Sequence, residues 1–579
     1  MKQWMIKRNP ADLKMIAARY HISEILAEVL VKRGLYDWDA MDNYLYPSMD
    51  RLHSVHDIYD MDRALDMIRQ KIKDGSKIEI IGDYDVDGVM STSILVLGLR
   101  GLGADVSWRV PHRERDGYGI RSYMVQQAWE KGVDTIITCD NGISALDAVN
   151  RAKELGMTVI VTDHHDVPLD NDTGEEIIPT ADAVVDPKRK QSIYPWKEMC
   201  GAGVAYRLIA ELYEGKNRQA FLDELLSMAA VATVCDVVPL QGENRIIVSR
   251  GLEILQNSTN PGMSSLIRQL ELNRAVDSGC LGFRIGPCIN AAGRLEDAST
   301  GVELMLTQDR EQADALAKKL ITLNEQRKDI TARATEEAEK LIEKKGYLEK
   351  NVLVVFVEEC PESVAGIVAG RIKEKYYRPT MILTRSGNHL KGSGRSIPGY
   401  HMQQELNACA SLLLEYGGHA MAAGFSLEES NLELLRDQLN ERCCLTQKDL
   451  VEKITIDREV PLAEVTGNLV RELNLLQPVG EQNKGALFAR RGVEILSVRV
   501  CGKEGQVGNF TVMDQGRRYS LVDFQIDHCM KKEICHKYSE EMWHALEDRR
   551  AAGCIMDILF VPKINERYGE LQYTIVDCR

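Results

Sequence analysis

The sequence predicts a multidomain α/β protein in which two α/β lobes are joined by a long helix and followed by a small β-barrel. Three observations support this fold class. From Lys77 onward, short β-branched runs alternate with amphipathic stretches, as in parallel α/β sheets. The segment 311–345 contains no glycine or proline and predicts one helix of roughly 50 Å. After about residue 450, short strand-like runs separated by glycine and polar turns indicate a barrel.

The chain of 579 residues is too long for one hydrophobic core, so several domains are expected. The first of them is helical, because ISEILAEVLVKRGL carries apolar residues at helical spacing and ends at Gly34. A second α/β pattern follows the long helix. The predicted domains are an N-terminal helical region at 1–75, a first α/β lobe at 76–310, a connecting helix at 311–346, a second lobe at 347–447 and a barrel at 448–579.

Four strand-like runs lie in the first lobe, and an amphipathic segment between two of them predicts a helix that ends before Gly156. Strand, helix and strand in this order predict a parallel sheet. The four runs are KIEIIGD (77–83), DTIITCD (134–140), TVIVTDHH (158–165) and AVVDP (183–187).

The formal net charge of −15 argues against a protein that coats nucleic acid, because such proteins usually carry a basic excess. An enzyme that gathers metal ions needs many carboxylates, and bound cations offset them locally. The charge therefore leaves a metal-dependent nuclease open.

The 14 cysteines are scattered, and none forms a CxxC pair. No run of about 18 apolar residues is present, and the first residues lack the pattern of a signal peptide. These features predict reduced thiols and a cytoplasmic protein without membrane segments.

Acidic and imidazole groups follow three of the strand-like runs of the first lobe. In a parallel sheet, ligands gather beyond the carboxyl ends of the strands, so these groups are expected to converge. Carboxylates that lie close together repel one another unless cations neutralise them, and carboxylates with one or two imidazoles suit Mn²⁺ or Mg²⁺. The groups are Asp83, Asp85, Asp87, Asp140, Asp163, His164 and His165, and Asp236 in AAVATVCDVVPL is a further candidate.

Each motif alone has a simpler interpretation. Asp83 to Gly88 matches the first half of an EF-hand loop, but its twelfth position is Ile94, where a glutamate is required. Asp140-Asn141-Gly142 alone is most often a turn, and His164-His165 could be capping or core residues. The joint pattern favours a metal centre of two ions that acts on a phosphodiester.

The motifs DYDVDG, CDNG, TDHH and ATVCDVVPLQGENR resemble those of the DHH phosphoesterases. From about residue 70 to about residue 490 the chain is most similar to their RecJ branch, in PHRERDGYGI, CGAGVAY, GPCINAAGRLEDA, LNEQRKDI, LKGSGRSIPGYHM and EYGGHAMAAGFSLEE. The resemblance implies a parallel-sheet DHH domain, a DHH-associated domain and an oligonucleotide-binding (OB) type barrel. It also implies a 5′→3′ exonuclease that hydrolyses single-stranded DNA to mononucleotides in repair and recombination.

The resemblance further implies roles for individual residues. Asp85, Asp87, Asp140, His164 and Asp236 match the family's metal ligands for two Mn²⁺ or Mg²⁺ ions, and His165 is a further ligand or a contact to phosphate and water. Asp83 and Asp163 would orient these ligands. The implied substrate contacts are Arg113, Asn290, Arg294, Ser393, Arg395 and His419. If they stood alone, GSGRS would read as a glycine turn and His419 equally as a packed histidine.

Two positions depart from the family pattern. Cys360-Pro361 stands where many relatives carry Trp-His, and Cys288 stands where they often carry Arg. Both departures affect expected substrate contacts, whereas the metal set is complete. In the barrel, Phe488, Phe510 and Tyr519 could stack bases, but core packing is the better interpretation.

Two alternative functions are weighed against the exonuclease. A phosphodiesterase for short oligonucleotides or cyclic dinucleotides would share the lobes but lack the helical region and the barrel. A non-catalytic strand-binding scaffold would be expected to have lost ligands. The expected partners are single-stranded DNA, with a helicase and a single-strand-binding protein to expose it, and the expected state is a monomer.

Overall fold

The computed structural model describes residues 2–6, 11–170, 172–272, 275–502, 505–550, 553–565 and 569–579. The chain forms two compact units. Unit 1 consists of Met1–Tyr46, Val451–Val479 and Asn483–Arg579, and unit 2 consists of Pro47–Leu450 and Gly480–Gln482. Both α/β lobes lie in unit 2 and the barrel lies in unit 1. The domain boundaries predicted above stay predictions.

The strands in chain order are β1 (Gln3–Ile6), β2 (Lys77–Ile81), β3 (Asp105–Arg109), β4 (Thr135–Cys139), β5 (Thr158–Thr162), β6 (Ala183–Val185), β7 (Leu353–Phe356), β8 (Thr380–Ser386), β9 (His389–Arg395), β10 (Glu415–Gly418), β11 (Ala422–Leu427), β12 (Lys453–Ile456), β13 (Arg458–Glu459), β14 (Phe488–Cys501), β15 (Val507–Asp514), β16 (Arg517–Asp523), β17 (Cys554–Asn565) and β18 (Glu570–Cys578).

The α-helices in chain order are α1 (Leu13–Tyr20), α2 (Glu24–Lys32), α3 (Trp38–Leu45), α4 (Met61–Lys73), α5 (Val86–Gly101), α6 (Ser122–Glu130), α7 (Leu146–Glu154), α8 (Gly201–Leu212), α9 (Gln219–Cys235), α10 (Gly242–Leu255), α11 (Pro261–Gln269), α12 (Ser278–Cys280), α13 (Gly286–Leu295), α14 (Ser299–Leu306), α15 (Arg310–Lys344), α16 (Glu362–Tyr376), α17 (Met402–Ala408), α18 (Leu432–Arg442), α19 (Gly467–Leu473), α20 (Met530–Lys537) and α21 (Glu540–Glu547).

The first lobe contains a five-stranded sheet in the order β3-β2-β4-β5-β6, and all its strands run parallel. Its central strand β4 is buried throughout, which explains its unbroken run of β-branched and apolar residues. The predicted strands and the predicted parallel sheet are confirmed. Helix α7 also forms, and Gly156 follows it with φ +74, the left-handed conformation expected of a residue just beyond a helix end.

Helix α15 is the predicted long helix, with 35 residues. Asp309 caps its first turn, because the carboxylate accepts from the backbone N–H of Glu311 at 2.7 Å and of Gln312 at 3.1 Å. Apolar residues in its first half, such as Leu320, join the core of the first lobe, whereas Ile342 near its end joins a core of the second lobe. The helix therefore connects the two lobes, as the sequence predicted.

The second lobe contains a mixed five-stranded sheet in the order β10-β11-β9-β8-β7. Strands β7 and β8 are parallel, and the remaining pairs are antiparallel. The GSGR segment lies in β9, so its alternative interpretation as a glycine turn is wrong. Glycine is required there because a Cβ atom on Gly392 would lie 2.3 Å from the ring of Phe425 on β11.

The barrel of unit 1 consists of β14, β15, β16, β18 and β17, and pairing of β14 with β17 closes it. Phe488 and Phe510 are fully buried in the barrel core, so the core interpretation of these two residues is confirmed. Tyr519 is partly buried and packs against Tyr573, with ring centroids 5.9 Å apart. Apolar residues of α2, such as Leu26, belong to the same core cluster. The predicted fold class is confirmed.

No helix within the described parts of the chain is long and apolar enough to span a bilayer.

Candidate metal and phosphate-binding site

The first acidic segment lies between β2 and α5. Asp85 is the N-cap of α5, and its carboxylate accepts from the backbone N–H of Gly88 at 3.1 Å. Asp87 is buried, and its two oxygens accept from the backbone N–H groups of Gly201 and Ala202, each at 2.7 Å. These amides belong to the first turn of α8, where the helix dipole favours a negative charge.

The second segment is the turn after β4. Asp140 is 2% exposed and has φ +58, a left-handed conformation that is unusual for a residue with a side chain. Gly142 follows with φ +116, and a Cβ atom there would lie 2.4 Å from the hydroxyl of Thr138. The sharp turn aims the carboxylate of Asp140 back over the end of the sheet, where it meets the groups that follow β2 and β5.

The third segment follows β5. Asp163 is fully buried, and its carboxylate accepts from the backbone N–H groups of Ile143 at 2.9 Å and His164 at 2.8 Å. The Nδ1 atom of His165 lies 2.8 Å from Asp163 Oδ1. Asp163 thus fixes the orientation of the two histidines from behind.

The Nε2 atom of His164 lies at the centre of the acidic groups. It is 3.1 Å from Asp140 Oδ1, 3.5 Å from Asp87 Oδ2 and 3.8 Å from Asp236 Oδ2. Asp236 is the C-cap of α9, so the fourth element that supplies a ligand candidate is a helix end.

Three sets of side chains have potential ligand atoms within 4.8 Å of one another, which is close enough for each set to hold a cation. All five predicted ligands occur in these sets, together with His165 and with Asp83, which was predicted only to orient the ligands. The sets are Asp140, His164 and His165; Asp87, His164 and Asp236; and Asp83, Asp85 and Asp140.

The charges of this cluster fit a divalent cation. Burial, and then the charges of Asp87 and Asp85, raise the pKa of Asp140 well above its ordinary value. The same causes raise the pKa of Asp236 to about 9, and Asp236 Oδ2 is buried without a hydrogen-bond partner among the described residues. Carboxylates in this state need a positive charge to remain ionised together, and oxygen ligands with imidazole suit Mn²⁺ or Mg²⁺.

The two histidines differ in their electrostatic surroundings. Burial lowers the pKa of His164, so its ring is neutral and can coordinate a metal through Nε2. Burial also disfavours a charge on His165, but the hydrogen bond with Asp163 raises the pKa of His165 to about 9.

Arginines from both lobes lie near the acidic cluster. The guanidinium of Arg113 stacks 3.8 Å from the ring centroid of Tyr84, and its Nε donates to the backbone oxygen of Gly293 at 3.2 Å. Arg294 Nη1 donates to the backbone oxygen of Ser363 at 2.6 Å, which joins α13 of the first lobe to α16 of the second. A cavity of about 190 Å³ is lined by both arginines and by Pro361 and Ser363.

Ser393 and Arg395 lie on β9 of the second lobe. Arg395 Nη1 donates to the backbone oxygen of Gly394 at 2.8 Å and to Ser393 Oγ at 3.4 Å. Gly366 leaves room for this pair, because a Cβ atom there would lie 2.8 Å from both Ser393 Oγ and Arg395 Nη2.

The arginines form a site for an anion. Burial, followed by the charges of Arg113 and Arg327, lowers the pKa of Arg294 to about 9. Across the described residues, Arg113, Arg294 and Arg395 have no carboxylate oxygen within 4.0 Å. Unpaired guanidinium groups this close together repel one another, and a phosphate would relieve that repulsion.

The remaining predicted substrate contacts are His419 and Asn290. His419 is exposed, and its backbone N–H donates to Ala422 at 2.7 Å. The pKa of Asp166, which follows β5, is lowered chiefly by a hydrogen bond from Lys188. Asn290 lies on α13, and its Oδ1 atom is buried with no hydrogen-bond partner in the part of the chain that the structure describes.

The sequence interpretation missed Tyr118 and Arg327. Tyr118 follows Arg113 in the same loop and contacts both Asp140 and His165. Arg327 lies on α15, where Asn324 Oδ1 accepts from its Nε at 3.1 Å and its Nη2 at 2.9 Å. The segments that contain them, DGYGI and LNEQRKDI, were singled out without a role for these residues.

The two departures from the family pattern are buried. Cys288 has no exposed surface, donates to the backbone oxygen of Arg284 at 3.1 Å and accepts from Asn324 Nδ2 at 3.4 Å. Cys360 is 2% exposed, and Thr384 Oγ1 donates to its backbone oxygen.

Comparison with known proteins agrees with these domains. Residues 77–233 match the DHH family, N-terminal domain, residues 349–444 match the DHHA1 domain, and residues 456–577 match the RecJ OB domain.

Two relatives named as single-stranded-DNA-specific exonuclease RecJ cover most of the chain. The protein of Bacillus subtilis is 34% identical over 529 residues, which span 90% of this chain and 66% of that protein. The protein of Escherichia coli is 36% identical over 451 residues, which span 74% of this chain and 77% of that protein.

Among solved structures, RecJ from Thermus thermophilus in complex with Mn²⁺ matches with a TM-score of 0.81 and 27% identity. The match covers 100% of this chain and 79% of that one. On this similarity of sequence and structure, the chain belongs to the RecJ family of DHH phosphoesterases.

Proposed function

We propose that this protein hydrolyses single-stranded DNA from its 5′ end as a divalent-metal-dependent exonuclease, releasing mononucleotides during repair and recombination. One observation carries the proposal: a buried cluster of carboxylates and imidazoles in the first lobe lies beside unpaired arginines contributed by both lobes. The carboxylates and imidazoles suit cations that act on a phosphodiester, and the arginines suit the phosphate of a strand end. Relatives at 34% and 36% identity are single-stranded-DNA-specific exonucleases.

The metal ions would be held by the carboxylates and the imidazole gathered at the ends of β2, β4, β5 and α9. Bound Mn²⁺ or Mg²⁺ would polarise the phosphodiester and make water a better nucleophile at neutral pH. Asp163 holds His165 through Nδ1, which leaves His165 Nε2 to act as a further ligand or to contact phosphate and water. The proposed ligands are Asp85, Asp87, Asp140, His164 and Asp236, and Asp83 is a candidate because it belongs to one of the three sets.

The direction of degradation would come from the arginines. Arg113 and Arg395, with Ser393, would bind a terminal 5′-phosphate, and Arg294 would add positive charge from a partly buried position. Fixing the end of the strand decides which bond lies at the metal cluster, so one nucleotide is removed at a time. The hydrogen bond between Arg294 and Ser363 joins the lobes beside this site, which favours a thin single strand over a duplex.

We also propose a monomeric cytoplasmic enzyme that depends on a helicase and a single-strand-binding protein to expose its substrate. Support for the location comes from the cysteines, all 14 of which are free thiols. Size-exclusion chromatography with light scattering, and cell fractionation, would test the oligomeric state and the location.

The proposal is tested with a single strand labelled at either end, incubated with Mn²⁺ or with chelator, beside a duplex and a dinucleotide. We expect metal-dependent release of the 5′ label as mononucleotide while the duplex is spared. Cleavage of the dinucleotide alone would instead indicate a short-oligonucleotide phosphodiesterase. Binding without cleavage would indicate a scaffold.

A matched pair of variants connects the activity to the cluster. Asp140→Asn keeps the size of the side chain, and asparagine tolerates the left-handed backbone of this position. It should reduce cleavage by more than the roughly 100-fold typical of losing an outer partner of a metal ligand. Asp147→Asn makes the same change at an exposed position of α7 and should leave cleavage unchanged.

A further inference from the structure

Tyr118 lies between two candidate metal ligands. Its hydroxyl donates to the backbone oxygen of Asp140 at 2.7 Å. The same oxygen atom lies 3.1 Å from Nδ1 and 3.3 Å from Nε2 of His165. The two rings meet nearly edge to face, with centroids 5.4 Å apart. One side chain from the loop between β3 and α6 therefore contacts the segments that follow β4 and β5.

The bond to Asp140 supports an unfavourable backbone conformation. Asp140 has φ +58, and residues other than glycine occupy this region only where neighbouring groups hold them there. The carboxylate of Asp140 belongs to two of the three candidate metal sets, so a change in this turn would move a ligand shared by both. The Tyr118 hydroxyl is a side-chain partner of the Asp140 carbonyl and holds that peptide in place.

The contact with His165 leaves the imidazole free to act. A tyrosine hydroxyl has one hydrogen, and in Tyr118 it is used by the Asp140 carbonyl. Nδ1 of His165 is close enough to donate to Asp163 Oδ1, at 2.8 Å. Tyr118 therefore borders the ring edge of His165 while its own hydrogen stays with the Asp140 carbonyl.

We propose that Tyr118 is a positioning residue of the metal centre, which holds the Asp140 turn and the His165 ring in one arrangement through its hydroxyl. The proposal rests on the function proposed above, because it assigns a metal to the cluster that contains Asp140. Partners that orient metal ligands typically contribute about 10- to 100-fold to metal affinity or activity.

Mn²⁺ binding to the full-length protein, measured by isothermal titration calorimetry without DNA, tests the proposal. Tyr118→Phe removes the hydroxyl and keeps the ring, and it should weaken Mn²⁺ binding by about 10-fold. In cleavage assays kcat should fall by a similar factor, while KM for the strand changes by less than about twofold.

Tyr213→Phe is the matched control. The Tyr213 hydroxyl also donates to a backbone oxygen, that of Gly98, at 2.9 Å, and it lies between α5 and α8 and away from the cluster. This variant should bind Mn²⁺ like the unaltered protein. If it weakened binding as much as Tyr118→Phe, general loosening of the lobe would explain the effect, and the proposal would be overturned.

Two further results would overturn the proposal. The first is an Mn²⁺ affinity that does not change in Tyr118→Phe. If KM for the strand rose in that variant while Mn²⁺ affinity stayed the same, Tyr118 would be a strand contact. The second concerns 3-fluorotyrosine placed at position 118, which retains the hydroxyl and should bind Mn²⁺ normally. Weak Mn²⁺ binding by that protein would show that the packing of the ring, and not its hydroxyl, decides the Mn²⁺ affinity. This test can be made even if Tyr118→Phe does not fold.

The proposed function can fail separately. If the unaltered protein cleaved no strand, the exonuclease proposal would be wrong. The calorimetric comparison would still support or overturn the role of Tyr118.

Discussion

The acidic cluster and the arginine cluster of unit 2 are built in different ways. The acidic cluster gathers short side chains at the carboxyl ends of three adjacent parallel strands and at one helix end, and Asp87, Asp140 and Asp163 are almost fully buried. The arginine cluster combines the long side chains of Arg113 and Arg395 from separate elements of two lobes. Backbone carbonyls and an aromatic ring hold those side chains.

The difference separates two parts of the proposed reaction. Short buried ligands have little freedom, so the acidic cluster should decide whether a bond is broken. Long arginine side chains can adjust to a phosphate, so the arginine cluster should decide which strand end binds and how tightly.

Among substitutions outside the acidic cluster, the largest effect is expected for Arg395→Gln. Losing one charge-assisted hydrogen bond to a phosphate costs roughly 1.5 to 3 kcal/mol, so KM for a 5′-phosphorylated strand should rise about 10- to 100-fold. The preference for a 5′-phosphate over a 5′-hydroxyl should disappear, and Mn²⁺ affinity should not change. Steady-state kinetics on the two strands measure this.

Arg385→Gln is its control. Arg385 lies on β8 of the same lobe, and its guanidinium is already paired with Glu429 at 3.0 and 3.1 Å. Its loss should leave the cleavage of both strands, and the preference for the 5′-phosphate, as they are in the unaltered protein. A preference for the 5′-phosphate that survived Arg395→Gln would remove Arg395 from the proposed phosphate site.

A smaller effect is expected for Gly366→Ala. The new methyl group would lie 2.8 Å from Ser393 Oγ and Arg395 Nη2, so these side-chain ends must move. KM should rise by roughly one order of magnitude, since the displaced groups lose part of their contact with phosphate. The melting temperature should stay close to that of the unaltered protein.

Gly370→Ala is the control that separates the displacement of Ser393 and Arg395 from the effect of placing an alanine in the helix. Gly370 lies on the same helix α16, and a methyl group there has no neighbour within 4 Å. It should leave KM unchanged and stabilise the helix by up to about 1 kcal/mol. Equal KM values for the two alanine variants would contradict the role given to Gly366.

The smallest effect is expected for Cys288→Ser. Cys288 is fully buried and forms hydrogen bonds with the backbone oxygen of Arg284 and with the Asn324 side chain. Serine can make both contacts, so kcat/KM should change by less than about threefold. A large change in KM would mean that this position influences substrate despite its burial.

The acidic cluster was predictable because its signals are local. Each of β2, β4 and β5 is a largely buried run with an acidic group within two residues of its end, and the parallel order of the strands brings those groups together. Asn141-Gly142 indicates a turn after β4, but the sequence does not indicate that Asp140 itself has a positive φ.

Other features were not predictable because they depend on contacts between distant segments. Glycines disfavour a strand, so GSGR reads as a turn until Phe425 of β11 is seen packed over Gly392. Tyr118 precedes Asp140 by 22 residues, and no local pattern indicates their hydrogen bond. The helices before residue 46 share a core with the barrel, which begins more than 400 residues later.

The central claim is that the acidic cluster is a metal centre. Crystals grown with Mn²⁺ and measured for its anomalous scattering test the claim most directly. We predict one or two peaks among Asp87, His164 and Asp236 and among Asp83, Asp85 and Asp140, with metal-to-oxygen distances of about 2.0 to 2.6 Å. Peaks elsewhere, or none at a Mn²⁺ concentration that supports cleavage, would contradict the claim.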